Sequence, residues 1–235
     1  MKIRIKFSKT GTMKFIGHLD IMRYFQKVMR RSEVNIAYSE GFSPHQKMSF
    51  AAPLGVGLTS VGEYFDIEVH STDSSSEMLR RMNETMANGM EVLSYVRLPD
   101  DSKNAMSLVA AADYEVTFRN DRQPVPDIYG RFFEFIRQPV IKILKKTKKS
   151  EQFVDIKPLI LESGVPDRSA ESPVIFLKLS AGSVNNLKPE LVMQAFYEFM
   201  GLEYEPFAIE VKRMEIFGEE NGQLIPLEKY GTVIE

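Results

Sequence analysis

The sequence predicts an α+β fold of two tandem ferredoxin-like (β-α-β-β-α-β) domains with antiparallel sheets. Three observations predict it. Apolar residues alternate at period two near the start, change to a helical period, and return to period two, and that order recurs in the second half. Charge recurs with it. Residues 1–50 hold ten Lys/Arg against three Asp/Glu and residues 101–150 hold ten against six, while acidic stretches follow each. A chain of 235 residues also has room for two domains of roughly 100 residues each.

The elements follow in order. "KIRIKFSK" sets Ile3, Ile5 and Phe7 against Lys2, Arg4 and Lys6, the alternation of a half-buried strand. "GHLDIMRYFQKVMRR" places Ile21, Met22, Phe25, Val28 and Met29 on one helical face. "NIAYS" and "KMSFAAPL" are short strand candidates flanking a turn shaped by Gly41 and Pro44. "GEYFDIEVH" alternates again. "SSSEMLRRMNETM" offers serines as helix caps ahead of Met78, Leu79, Met82 and Met86, and "MEVLSYVRL" is a strand. This first domain takes residues 1–98, and residues 99–111 read as a linker whose second half has helical character.

The second domain takes residues 112–235. "DYEVTFR" is its first strand and "DIYGRFFEFIRQ" its first helix, ending before Pro139. "VIKILKKTKKSEQFVDIKPLILE" reads as a hairpin with a lysine-rich tip, and "PVIFLKLSAG" as a strand. "KPELVMQAFYEFMG" has Pro near its first turn and Gly past its end, as a helix prefers. "FAIEVKRMEIFGE" is a long strand, and "NGQLIPL" its hairpin return.

Composition excludes several chemistries. There is no cysteine, so disulfides, thiolate zinc sites, cysteine nucleophiles and cysteine-ligated iron–sulfur clusters are out. No apolar run approaches the roughly 20 residues of a membrane span. The first residues alternate like a strand and lack the apolar core of a signal peptide. A cytoplasmic protein with no membrane partner and no cofactor is the expectation, and nothing in the sequence sets an oligomeric state.

The candidate site residues form three groups. His18 and Asp20 open the first helix, where a histidine can act as acid or base or hold a phosphate, and where Asp20 suits the helix dipole. With His45, Glu63 and Tyr64 they make up a candidate polar patch, His45 leaving the 41–45 turn. Arg23, Lys27, Arg30 and Arg31 lie opposite the apolar stripe of that helix, and Lys47 follows the turn; such cations can follow a nucleic-acid backbone. Lys145, Lys146, Lys148 and Lys149 crowd the hairpin tip, suited to phosphate contacts or to guarding an edge strand. Tyr24, Tyr38 and Tyr64 are rim or core aromatics with base stacking as the alternative. "GVGLTSVG" lacks the lysine and the strand–helix setting of a phosphate loop.

Three blocks carry a resemblance. "FIGHLDIMRYFQKVMRRS", "YSEGFSPHQKMSFAAPLGVGLTSVGEYFDIEV" and "KKTKKSEQFVDIKP" resemble the radical-SAM-linked protein family, whose bacterial members stand alone or extend radical-SAM proteins at the C-terminus. The family blocks coincide here with His18, Asp20, Arg23, Gly41, Phe42, Pro44, Glu63, Tyr64, Lys148, Lys149 and Asp155, and Gly17 stands where the family has serine. The resemblance implies a place in RNA or ribosome-related metabolism. The missing cysteines exclude the radical-SAM enzyme itself and leave the accessory.

The expected function is therefore a non-catalytic RNA-binding or adaptor protein, accessory to a radical-SAM enzyme, with RNA and a radical-SAM protein as partners. Two alternatives stand beside it. One is a metal-independent RNA-processing enzyme using His18 or His45; the other is a protein-interaction module for a radical-SAM partner. The two loops "GHLD" and "GFSPHQK" are expected side by side at one edge of the first domain.

Overall fold

Strand β1 (Lys2–Lys9) forms where the alternation predicts it, with Ile3, Ile5 and Phe7 turned to the core. The structure, a computed structural model, describes residues 1–119, 122–146, 151–166 and 173–235. Within these residues it is a mixed α+β fold with a large, mostly antiparallel sheet and five helices.

A single 3-10 turn leads into helix α1 (His18–Arg31), which buries Ile21, Phe25, Val28 and Met29. Strands β2 (Met48–Phe50) and β3 (Thr59–Glu68) follow. Helix α2 (Ser75–Glu84) starts where Ser74 Oγ accepts the Glu77 amide at 3.3 Å, the cap foreseen in the serine run. Strand β4 (Met90–Leu98) comes next. β1 lies between β3 and β4, antiparallel to both, and β2 pairs antiparallel with the later half of β3. One face of these strands packs on α1 and α2 through an aromatic cluster. Phe25 lies 4.6 Å from Phe65 and 4.7 Å from Phe7, ring centre to ring centre.

"NIAYS" does not become a strand. Its backbone donors are divided: the Ile36 amide bonds to the Val34 carbonyl and the Ser39 amide to the His45 carbonyl across the turn, while the Ala37 amide reaches the Glu68 carbonyl at the end of β3. Two isolated bridges, Ile36 to Val69 and Tyr38 to Gln46, remain. Residues 99–111 are no open linker either. Helix α3 (Ala105–Leu108) is capped by Asn104, and the Ala105 amide donates to Asp66 at 2.7 Å, with Ala105 fully buried.

Strand β5 (Val109–Phe118) leads to helix α4 (Ile128–Ile136), capped by Asp127, and then to β6 (Lys142–Lys146) and β7 (Glu151–Asp155). β6 and β7 form the expected antiparallel hairpin. β8 (Ile160–Gly164) is separated from it by a 3-10 turn and pairs with β9 (Val174–Ser180) instead. Helix α5 (Pro189–Phe199), strand β10 (Ile209–Glu220) and strand β11 (Gln223–Pro226) complete the elements, before a last 3-10 turn at Leu227–Tyr230. The β10–β11 turn holds Asn221 at φ +52° and Gly222 at φ +77°, both left-handed, which suits a two-residue hairpin.

The chain forms two compact units: Met1–Ala111 with Arg213–Glu235, and Ala112–Lys212. Residues 213–235, expected in the second domain, thus lie in the first unit. The cause is the length of β10, whose later half runs beside β3 in the strand order β4-β1-β3-β10. Gly62 permits that approach, since a Cβ there would run into the Met214 carbonyl. In the second unit the order is β10-β5-β9-β8, over a core that joins Phe132, Phe135 and Phe196.

Candidate nucleic-acid interface

The inward stripe of α1 turns its basic residues outward. Arg23, Lys27, Arg30 and Arg31 are spaced three and four residues apart along the side away from that stripe. Arg30 and Arg31 occupy the last turn, where cations suit the helix dipole. Arg23 contacts Asp20 at 3.3 Å, but both side chains are solvated, so the pair is weak and screened by salt.

The 38–47 turn sits against the later half of this helix. Gln46 Nε2 donates to the Gln26 carbonyl at 3.3 Å and holds the turn there. His45 Nδ1 shares a hydrogen bond with Ser39 Oγ at 2.8 Å, and the His45 amide donates to the same oxygen at 3.1 Å. Gly41, at φ +105°, makes the bend. Phe42 at its tip is wholly exposed and Tyr38 is half exposed. Gln26, Arg30, Tyr38, Pro44, His45 and Gln46 line an open, shallow recess of about 220 Å³. Lys47 points to a different hollow and donates to Glu68 at 2.7 Å, a bond that holds its ammonium above the usual lysine range.

The structure does not assemble the expected patch. His18 opens α1, whereas His45 lies beside Gln26 and Arg30, which are about 12 and about 18 Å further along the helix axis at 1.5 Å per residue. His18 instead packs edge-on to Phe50, ring centres 5.4 Å apart, over a void of about 10 Å³ lined also by Lys9, Ile21 and Glu63. Glu63 and Tyr64 are consecutive strand residues and so point to opposite faces. Glu63, on the helix face, has both carboxylate oxygens 3.0 Å from Arg213 Nη1. Tyr64, on the other face, donates to Glu215 at 2.6 Å, and Lys6 donates to the same carboxylate at 2.7 Å. Both residues are buried, so Tyr64 is no stacking platform. Tyr24 is engaged too, its hydroxyl accepting the Ala87 amide at 2.7 Å.

Sequence reasoning missed the buried charge. Arg213, Lys9, Arg4 and Glu215 give no local signal, because their partners lie far along the chain or are backbone groups. Arg4 is fully buried, forked onto Asp66 at 2.8 and 3.0 Å and donating to the Leu227 carbonyl at 3.1 Å. Lys9 is 2% exposed and donates to the Ile16 carbonyl at 3.0 Å. Burial lowers the Lys9 ammonium despite the pull of Glu63, with Arg213 adding to the drop. Burial raises the Glu63 carboxyl, against the opposing pull of Arg213, Ser60 and Lys9.

Burial, then the charge of Lys9, pushes the His18 imidazole below its usual value. Its linkage has a definite sign. The unfolded chain binds the proton more readily, so neutral His18 contributes stability that is fully present above about pH 6.5. That stability is lost as pH falls from there toward the lower folded value. His18→Asn should flatten this part of the stability–pH curve relative to the natural chain. Urea unfolding at pH 7.5, 6.5 and 5.5 reads the difference, and equal slopes for both chains would refute it.

Lys148 and Lys149 lie outside the described residues, as do the side chains of Lys145 and Lys146, whose backbones pair with Gln152 and Glu151. Among the described residues no three His, Asp or Glu converge as metal ligands, and no helix is long and apolar enough to cross a membrane.

Fold and surface define a mixed α+β protein with a cationic helix face beside an aromatic turn. The chain belongs to the family described as "Uncharacterized protein conserved in bacteria (DUF2344)", which it matches over residues 2–189. No curated protein matches it. Among solved structures it is similar to a chain of the "Crystal Structure of a Cbf5-Nop10-Gar1 Complex", at 10% identity and a TM-score of 0.48, covering 93% of this chain and 50% of that one. It is also similar to a chain of the "Structure of H/ACA RNP bound to a substrate RNA containing 2'-deoxyuridine", at 9% identity and a TM-score of 0.47, covering 93% and 49%. The chain thus spans about half the length of the chains it matches. Likeness at this level carries no argument about what this chain binds.

Proposed function

We propose that the protein is a non-catalytic RNA-binding or adaptor protein of the cytoplasm, accessory to a radical-SAM enzyme in RNA or ribosome-related metabolism. The observation that carries the RNA reading is the outward row Arg23, Lys27, Arg30 and Arg31, flanked by a turn that presents Tyr38 and Phe42 to solvent. Cations spaced along one helix face meet successive phosphates, and exposed aromatics next to them meet bases. The accessory role rests on the sequence blocks that resemble the radical-SAM-linked family. The same reading takes both units as ferredoxin-like: β4-β1-β3 with β2 on β3 in the first, and β10-β5-β9-β8 with the β6–β7 hairpin added in the second. It also includes Lys145, Lys146, Lys148 and Lys149 as phosphate contacts.

The test is a salt titration of affinity for a single-stranded RNA. Replacing Arg23, Lys27, Arg30 and Arg31 together by alanine should weaken binding. The slope of log affinity against log salt should fall by about 0.7 for each phosphate that these cations no longer neutralise. A natural chain with no salt-dependent RNA binding would overturn the RNA reading.

A second reading, a protein-interaction module for a radical-SAM partner, has its own observation. Phe15, Leu19 and Val56 are each more than half exposed around the entry to α1, where the Gly57 amide donates to the Lys14 carbonyl at 2.7 Å. Metal-independent RNA cleavage through His18 or His45 has less support. His18 is half-buried against Phe50, and His45 Nδ1 is engaged by Ser39.

A further inference from the structure

The recess beside the 38–47 turn has features that a bare cationic face does not need. Gln46 is 7% exposed, yet its side-chain Oε1 has no hydrogen-bond partner. Its Nε2 bonds are long, 3.3 Å to the Gln26 carbonyl and 3.5 Å to the Tyr38 hydroxyl. A buried acceptor without a partner is costly, and native folds keep few of them. Gln46 lines the recess, and the last torsion of a glutamine side chain is broad, so its amide can turn toward the recess by giving up those two long bonds. Tyr38 forms a half-exposed aromatic wall, Pro44 an apolar one, and Arg30 stands on the rim with Lys27 and Arg31 close by on the same helix.

We propose that this recess holds one unpaired base of a single-stranded RNA, stacked on Tyr38, with its edge on the Gln46 amide and its phosphate on Arg30. This deepens the RNA reading above and rests on it. The volume, about 220 Å³, suits one ring system rather than a folded RNA element. An amide offers both a donor and an acceptor, which is what a Watson–Crick edge requires, and an unpaired base leaves that edge open. Charge complementarity selects the occupant, since the rim carries Arg30 and its neighbours along the helix are cations. Phe42, wholly exposed at the tip of the turn, is placed to cover the next base.

The experiment compares two probes on the full chain: a mixed-sequence single-stranded RNA and a ribose-phosphate oligomer of the same length without bases. The natural chain should prefer the RNA on the order of tenfold, the contribution of one stacked base. Tyr38→Ala should abolish the preference while leaving the salt slope unchanged, and Tyr38→Phe should keep it. Gln46→Leu should keep the stacking but change the ranking among oligomers of A, C, G and U. Thermal unfolding of each variant checks that the turn still folds. Salt-dependent binding with equal affinity for both probes would overturn the stacking site and leave the RNA reading standing. A preference that survives Tyr38→Ala would overturn it too. Absence of binding to either probe would overturn both, and would be the outcome if the recess takes a peptide instead.

Discussion

Replacing Arg213 by methionine should cost the first unit about 3–5 kcal/mol, the scale for removing one partner of a buried ion pair. Arg213 and Glu63 are 8% and 4% exposed, with the guanidinium on both carboxylate oxygens at 3.0 Å. Without it, Glu63 keeps only Lys9 and Ser60 to offset its burial. Its carboxyl then moves further up, so the folded chain holds a proton that the unfolded chain releases above about pH 4.5. The deficit should therefore shrink as pH falls toward that value and grow as pH rises. The double replacement Glu63→Leu with Arg213→Met should recover much of the loss, because no carboxylate is then stranded without its arginine. Urea unfolding of the three variants at pH 5 and 8 forms the cycle. An Arg213→Met chain within about 0.5 kcal/mol of the natural one, the range of surface changes, would show that the pair is not buried as described.

Phe25→Ala should be of comparable size, about 3–5 kcal/mol. Phe25 is fully buried and edges or tilts against Phe7, Phe50 and Phe65, with Tyr24 at 5.6 Å on its own helix. A cavity there unseats α1 from β1 and β3 together. Arg23→Ala, two residues earlier on the same helix, removes a side chain that is 71% exposed and should stay within about 0.5 kcal/mol. The contrast separates the two sides of one helix: one side holds the fold and the other is free to serve a ligand. Thermal or denaturant unfolding reads both, and a cost at Arg23 equal to that at Phe25 would overturn the division.

What could be read in the sequence was what depends on near neighbours. The alternation of Ile3, Ile5 and Phe7 and the stripe of Ile21, Phe25, Val28 and Met29 located β1 and α1 to within a residue or two. The outward row of Arg23 to Arg31 follows from the same helical period. The α2 cap and the Asn221–Gly222 turn were equally local. Arg4 and Lys6 show where that reasoning stops. Alternation alone makes them a solvated face, but residues more than 200 positions away cover them: the Leu227 carbonyl accepts from Arg4, and Glu215 and Glu228 accept from Lys6. The 213–235 assignment failed for the same reason, since nothing near β10 announces β3 as its neighbour. His18 and His45 were expected together because a ferredoxin-like hairpin can bring its turn toward the loop where α1 begins; the 38–47 turn instead lies beside Gln26 and Arg30, in the later half of that helix.

The chain leaves the first unit after Ala111 and re-enters it at Arg213, which fixes an order of events during synthesis. When residues up to 111 have emerged from a ribosome, Glu63 has no arginine, Arg4 has no Leu227 carbonyl, and β3 has no β10 along its side. Residues 112–212 form an uninterrupted stretch and can be complete while the earlier half is still waiting. A truncation anywhere in that stretch therefore leaves the first unit with an exposed strand edge and stranded charges, features that invite aggregation or proteolysis. The core under α1 is drawn from residues 3–95, whereas the C-terminal partners of Arg4, Lys6 and Glu63 arrive only once residues 213–228 have been made.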